Sequence, residues 1–298
     1  MRKILGVLFC GVISYSSAFA APGRVSNKIN VLTSFTILAD ITKNIGGEYV
    51  NVSYLVGPNQ DPHEFELRPS DMIKIKKSQV FVINGLGLEG WIGRLVESDQ
   101  YKGVVVVASD GVKALSLTED GKVVDDPHAW NDPIMVEQKY IPNITSGLCD
   151  ADPKHCSEYK ENANIYASKV HSQYNTALLK FEKLGESNIQ AITTHDAFGY
   201  FAKRFNLKFL FAQGVSTDSE ASAKDIVQLE RLIRQSRVKV VFLENMTNNK
   251  LIKQIAKDTG AKIGGQLYSD ALSPVNGPAP TYLKLLDSNV NIIINAYK

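Results

Sequence analysis

The sequence predicts an α/β protein of two lobes with mainly parallel sheets flanked by helices, joined by one long rigid linker helix. Three observations carry this. Short β-branched runs alternate with amphipathic stretches up to about residue 150, and the same rhythm returns after residue 185. Between the two halves, residues 154–184 contain neither Pro nor Gly. The tripeptide Asp-Pro-His occurs twice, at 61–63 and 126–128, each time downstream of a strand-like segment.

In the first half Ile29–Thr33 reads as a strand and Ile37–Ile45 as a helix closed by Gly46-Gly47. Tyr49–Val56 is the next strand and leads into Gly57-Pro58-Asn59-Gln60 and the first Asp-Pro-His. Pro69-Ser70-Asp71 opens a helix through Ile75, Val80–Asn84 is a strand and Leu88–Val96 a helix. Val104–Ala108 is four Val and an Ala in succession, which predicts a strand covered on both faces. The second Asp-Pro-His follows a polar excursion through Asp120-Gly121, and the helix expected over Pro133–Leu148 carries Pro142, which predicts a kink.

Asp152-Pro153 supplies an N-cap and a proline at the first helical position. Tyr159, Ala163, Tyr166, Val170, Tyr174, Leu178 and Phe181 then recur at threes and fours until Gly185, the stripe of a helix with one buried face. At 1.5 Å per residue it would run roughly 45–50 Å, long enough to span the molecule as a stiff hinge. In the second half strands are expected at Ile189–Thr193, Phe209–Ala212, Val238–Leu243 and Ala261–Leu267. Helices are expected at Ala197–Phe205, Ala221–Gln235, Asn249–Thr259 and Pro280–Tyr297. The resulting division is an N-terminal lobe over 21–151, a linker over 152–185 and a C-terminal lobe over 186–298.

Residues 1–20 stand apart as a signal peptide. Arg2 and Lys3 form a basic start, Ile4–Ser17 is mostly apolar, and Ala18-Phe19-Ala20 is a small-x-small cleavage site. The run falls short of the about 20 residues a bilayer span needs, and no later stretch reads as a span. Cys10 could carry a lipid, but the bulky Phe9 before it does not resemble a bacterial lipobox. With Arg2 and Lys3 removed, the 33 basic side chains fall to 31 against 31 acidic ones, and the formal charge of +2 becomes zero. This balance argues against nucleic acid or an anionic membrane as partner.

Cys149 and Cys156 are the thiols that remain. In an oxidising compartment a pair this close predicts a disulfide; two free thiols, or a metal site using His155, are the alternatives.

Each Pro fixes its own φ and pushes the preceding Asp towards an extended conformation, so each tripeptide presents its His stiffly. His63 and His128 follow first-half strands, while His195 and Asp270 follow second-half strands. In open α/β sheets ligands bind outside the carboxyl ends of the strands, so all four fall on the edge where a site belongs, two from each lobe. Three imidazoles and a carboxylate form a shell suited to Zn²⁺, or to Mn²⁺ if Asp270 binds through both oxygens or water joins. Glu244, ending a strand, is a candidate to orient an imidazole N–H, as are Glu64 and Glu66 beside His63. Trp130, two residues after His128, could wall the site from water. His155 and His171 read as surface residues of the linker.

Gly85-Leu86-Gly87-Leu88-Glu89-Gly90 matches the dinucleotide fingerprint G-x-G-x-x-G, with Asp110 about 20 residues on. It is not in the first strand–helix turn of its lobe, and Glu89 places a carboxylate where a pyrophosphate would bind.

Thr33-Ser34-Phe35, Asp61-Pro62-His63-Glu64-Phe65-Glu66, Asn84-Gly85-Leu86-Gly87-Leu88-Glu89, Asp126-Pro127-His128-Ala129-Trp130, Thr194-His195-Asp196-Ala197-Phe198 and Tyr268-Ser269-Asp270 together resemble one family. It is the metal-binding solute-binding proteins of bacterial ABC transporters, the zinc/manganese group with a rigid helical linker. The resemblance implies a periplasmic, monomeric receptor without enzymatic activity. It would bind a divalent ion between its lobes and deliver it to a membrane permease driven by a separate ATPase. The family's four ligand positions fall on His63, His128, His195 and Asp270. Members similar to the manganese-selective branch carry Glu at the third position, so His195 leans towards zinc. Zinc-dedicated Gram-negative members often carry a long His-rich acidic loop before the second His, whereas Ser116–Asp125 is short and has no His.

Two other readings compete: a receptor for a metal chelate, and a secreted zinc hydrolase. A hydrolase would keep an open water position on the metal, and four protein ligands without H-E-x-x-H count against it.

Overall fold

The computed structural model describes residues 28–92, 101–119, 122–185, 189–212, 214, 217, 223–236 and 238–298. The signal peptide, Cys10 and the end of the helix expected over 88–96 lie outside the described residues.

Two four-stranded parallel sheets form the frame. In the first half these are β1 (Ile29–Phe35), β2 (Val50–Val56), β3 (Val80–Ile83) and β4 (Val104–Val107), in the order β2-β1-β3-β4. After the hairpin β5–β6 (Ser116–Glu119, Lys122–Asp125), the second half supplies β7 (Gln190–Thr193), β8 (Lys208–Phe211), β9 (Val240–Glu244) and β10 (Lys262–Leu267), in the order β10-β9-β7-β8. Read from the other edge, that is the same winding: in each lobe the second strand lies on one side of the first, and the third and fourth on the other. The direction reverses between β1 and β3, and between β7 and β9, which are the crevice positions of an open α/β sheet.

Helices α1 (Thr36–Gly46) and α2 (Pro69–Lys77) belong to the first lobe, and α3 (Ile141–Ala151) leads to α4 (Cys156–Leu184). Helices α5 (Gly199–Phe205), α6 (Ala223–Ser236), α7 (Lys250–Thr259) and α8 (Tyr282–Ala296) complete the second. Apolar alternation gives way to continuous apolar runs in the central strands: all four residues of β3 are buried.

The 29 residues of α4 span about 44 Å at 1.5 Å per residue. Tyr159, Ala163, Tyr166 and Val170 lie in the core of the first lobe, and Ala177 and Phe181 in the core of the second. One helix therefore belongs to both cores. The second half also sends Tyr200, Tyr268, Leu272, Tyr282 and Leu285 into the core of the first. A disulfide joins Cys149 in α3 to Cys156 at the start of α4, worth about 2–3 kcal/mol for so small a loop.

Two expectations need correction. The strand over Val104–Ala108 lies at the sheet edge, and Val107 is exposed, because an apolar run does not distinguish a central strand from an edge strand covered by a helix. Its inner side meets α3 at Gly147, where a Cβ would lie 2.1 Å from Val106 Cγ2. The chain stays helical from Pro133 to Ala151, and a π-helical segment at Val136–Tyr140 lies immediately before α3, an irregularity of the kind that accommodates the missing N–H of Pro142. The linker is helical from Pro153 as expected, its first turn a 3₁₀ turn over Pro153–His155 that runs into α4, and Asp152 accepts from His155 Nδ1 (2.6 Å) and Tyr159 OH (2.8 Å). His155 is no surface residue: it stacks on Tyr49 with centroids 4.2 Å apart. His171 is exposed and pairs with Glu137 at 2.9 Å.

Candidate metal centre

The sheets deliver four side chains to one point between the lobes. His195 follows β7 by two residues and Asp270 follows β10 by three, while His63 lies in the turn after β2 and His128 opens a 3₁₀ turn over Ala129–Asn131. One potential ligand atom from each lies within 4.8 Å of the others. His63 Nε2 is 3.2 Å from His128 Nε2, and His195 Nε2 is 2.9 Å from Asp270 Oδ2. His63 Nε2 and His128 Nε2 are each 3.7 Å from an Asp270 oxygen. A tetrahedron built on bonds of 2.0–2.2 Å has edges of roughly 3.3–3.6 Å, and the observed edges bracket that range. The side chains of His128, His195 and Asp270 are fully buried and that of His63 is 5% exposed.

Both Asp270 oxygens and both ring nitrogens of His195 lack a hydrogen-bond partner of acceptable geometry among the described residues. Orphaned buried polar atoms of this kind fit a cation.

Charge is arranged accordingly. Burial alone would lower the pKa of His195, but the carboxylates of Glu244 and Asp270 outweigh it and hold the imidazole well above its usual range. Burial alone would raise Asp270, but His195 and His128 hold it well below the usual carboxylate range. Both shifts favour a proton on His195 beside an ionised Asp270 when no cation is bound.

The supporting contacts are short. Glu244 is fully buried; its Oε1 accepts from Thr194 N (2.7 Å) and His195 N (3.0 Å). Its Oε2 accepts from Ser269 Oγ (2.8 Å) and lies 2.7 Å from His195 Nδ1. Trp130 is buried, packs its ring edge-on to His128 at 5.2 Å, and donates from Nε1 to Ser269 O, so it walls the site and ties the two lobes at once. Glu64 is exposed at the mouth of the cleft beside Asp61, and Glu66 lines the groove below it.

Asp126 escaped the sequence reading. Its Oδ1 accepts from the backbone N of His128 (2.9 Å) and also lies 2.8 Å from His128 Nδ1. The signal was the Asp of the repeated tripeptide itself, which accepts the N–H of the His two residues on in both copies.

The glycine pattern is explained without a dinucleotide. The buried Glu89 carboxyl accepts from Asn84 N (2.7 Å), Gly85 N (3.0 Å) and Ser34 Oγ (2.7 Å), so the loop closes on its own side chain. Gly85 and Gly87 both adopt φ of +86°, which lets the loop close on that carboxyl. Asn84 in turn donates to Pro127 O (3.0 Å) and accepts from Tyr140 OH (2.7 Å), fixing the second tripeptide.

Among the described residues no helix is long and apolar enough to cross a membrane. The family model described as "Zinc-uptake complex component A periplasmic" matches residues 31–296. The chain is 30% identical over 293 residues to the iron-binding protein YfeA of Yersinia pestis, covering 98% of this chain and 94% of that protein. Among solved structures, the periplasmic zinc binding protein TroA of Treponema pallidum superposes with a TM-score of 0.84 at 28% identity, covering 91% of this chain and 99% of that one. The Mn-bound periplasmic metal binding protein of Candidatus Liberibacter asiaticus gives 0.81 at 30% identity, covering 91% and 100%. A Cd-bound structure of the same protein gives the same values.

Proposed function

The chain belongs to the family of periplasmic zinc-uptake components, and we propose that its preferred cargo is Zn²⁺, held by His63, His128, His195 and Asp270. As a member of that family it is a periplasmic binding protein that carries a divalent metal ion to an ABC permease; it is a transport protein and not an enzyme.

The observation that carries the zinc reading is the buried donor set itself: three imidazole nitrogens and one carboxylate within 4.8 Å of one another. Such a set favours zinc over manganese at equal availability, by the Irving–Williams order and by geometry. Manganese prefers more oxygen donors, and the Mn-bound relative keeps that ion in view as the competitor. The closeness of the four atoms and their burial support a bare ion over a chelate, which would need room for its organic part.

Competitive titration of metal-free mature protein tests this. One equivalent of zinc is expected to bind, and to displace manganese when both ions are supplied equally. Comparable affinities would overturn the zinc preference. The same titration has a second expected outcome. The raised pKa of His195 favours a proton on its imidazole in the metal-free protein, so zinc binding is expected to release protons. Calorimetry in buffers of different ionisation enthalpy reads their number. Affinity falls as pH falls, since acid favours the protonated imidazole. In the metal-free protein the raised His195 pKa contributes stability that is full below about pH 6.5 and is lost as pH rises through the folded-state value. Asp270 works in the opposite direction: its contribution is full above about pH 3.9 and is lost as pH falls through its lowered value.

A further inference from the structure

We propose that the hydrogen bond from Thr217 Oγ1 to Asp61 Oδ2 is the bolt of a gate, holding the His63 loop shut from the opposite lobe and setting how fast the bound ion leaves. This rests on the metal-centre reading above and adds the route and the rate-setting contact.

The lobes are not free to swing apart. Second-half aromatics lie in the core of the first, and Arg204 grips Asp132 with two bonds of 2.8 Å. Opening the whole interface would expose that apolar surface, which restricts motion between domains. A loop movement costs far less, and only one candidate ligand stands on a loop near solvent. His63 is the one of the four with any exposed side chain. Beside it lies a cleft of 490 Å³, lined by Asp61 and Glu64 from the first lobe and by Thr194, Thr217, Met246 and Thr247 from the second.

The two tripeptides show what Asp61 does there. In both, the Asp accepts the backbone N–H of the His at 2.9 Å, so the local turn is the same. They differ in their remaining contact. Asp126 turns to the ring of its own His, at 2.8 Å from Nδ1. Asp61 instead reaches across the cleft to the buried Thr217, at 2.7 Å. Support of the imidazole is exchanged for a bond between lobes, in the one copy that sits at the exit.

The rest of the loop forms the pivot. Asn59, in the left-handed region at φ +55°, donates from its N to Leu272 O (3.1 Å) and accepts from Asn245 Nδ2 (2.9 Å). Trp91 Nε1 donates to Pro62 O (3.1 Å) from the first lobe. When Thr217 lets go, Asp61 turns, His63 leaves with it, and the ion faces the cleft with three ligands.

The test uses the mature chain loaded with Zn²⁺. Stoichiometric loading of the wild type comes first; a protein that takes up no zinc overturns the metal reading, and this proposal with it. Given loading, zinc release into excess chelator is followed by stopped flow. Thr217→Val keeps the shape and removes the hydroxyl, and is expected to release zinc about tenfold faster at unchanged stoichiometry. Thr217→Ser restores the hydroxyl and is expected to release at the wild-type rate. Release from Thr217→Val at the wild-type rate, or from Thr217→Ser as fast as from Thr217→Val, overturns the bolt.

Discussion

Asp270→Ala is expected to lower zinc affinity by two to three orders of magnitude or more. Asp270 is the one anion among the four side chains, it is fully buried, and its pKa is held down by the imidazoles around it. Removing one partner of a buried charged cluster costs about 3–5 kcal/mol, because the charge left behind has neither water nor counterion. Each 1.4 kcal/mol is a factor of ten in binding. The same deletion leaves His195 with Glu244 as its one close carboxylate, so the metal-free fold should survive. Asp270→Asn keeps one oxygen donor and gives up the charge, and should fall between alanine and wild type. The check is titration at pH 7 with circular dichroism on the same samples. A folded alanine variant binding within tenfold of wild type would remove Asp270 from the shell.

Glu244→Gln is expected to weaken zinc binding about 10–100-fold although the residue touches no ion, and to lower the melting temperature by several degrees. The reason is a tautomer. Nε2 of His195 faces Asp270 and the other candidate ligands, while Nδ1 lies 2.7 Å from Glu244 Oε2. An ionised Glu244 can only accept, so it fixes the proton on Nδ1 and leaves Nε2 free to bind. A glutamine NH₂ in that place would donate to Nδ1 and move the proton to Nε2. Stability falls because Glu244 also accepts from Thr194 N, His195 N and Ser269 Oγ in a fully buried position. Glu244→Ala orphans all three donors at about 1–3 kcal/mol each and is expected to unfold the second lobe. Wild-type affinity in Glu244→Gln would show that the tautomer is fixed elsewhere.

Much of this arrangement was legible in the sequence, for identifiable reasons. In the second lobe two parallel strands lead within three residues to His195 and Asp270, and in the first the repeated Asp-Pro-His marked His63 and His128. The linker showed itself by the absence of Pro and Gly and by its apolar spacing. What stayed hidden depends on neighbours distant in the chain. Nothing in four consecutive valines tells that their strand has a partner on one side only. The sharing of α4 by two cores, with Ala177 buried where Leu178 was expected in the stripe, follows from what each lobe presents to it. His155 is covered because Tyr49, over a hundred residues earlier, stacks on it. The opposite tasks of Asp61 and Asp126 were invisible for the same reason: one local motif, two different surroundings.

The central claim is that one divalent ion sits among His63, His128, His195 and Asp270. Anomalous diffraction at the zinc edge from crystals of the zinc-loaded mature protein tests it directly. The account predicts a single interior peak about 2.0–2.2 Å from one atom of each of the four side chains. A peak bound elsewhere, or one ligated by fewer than three of the four, would contradict it.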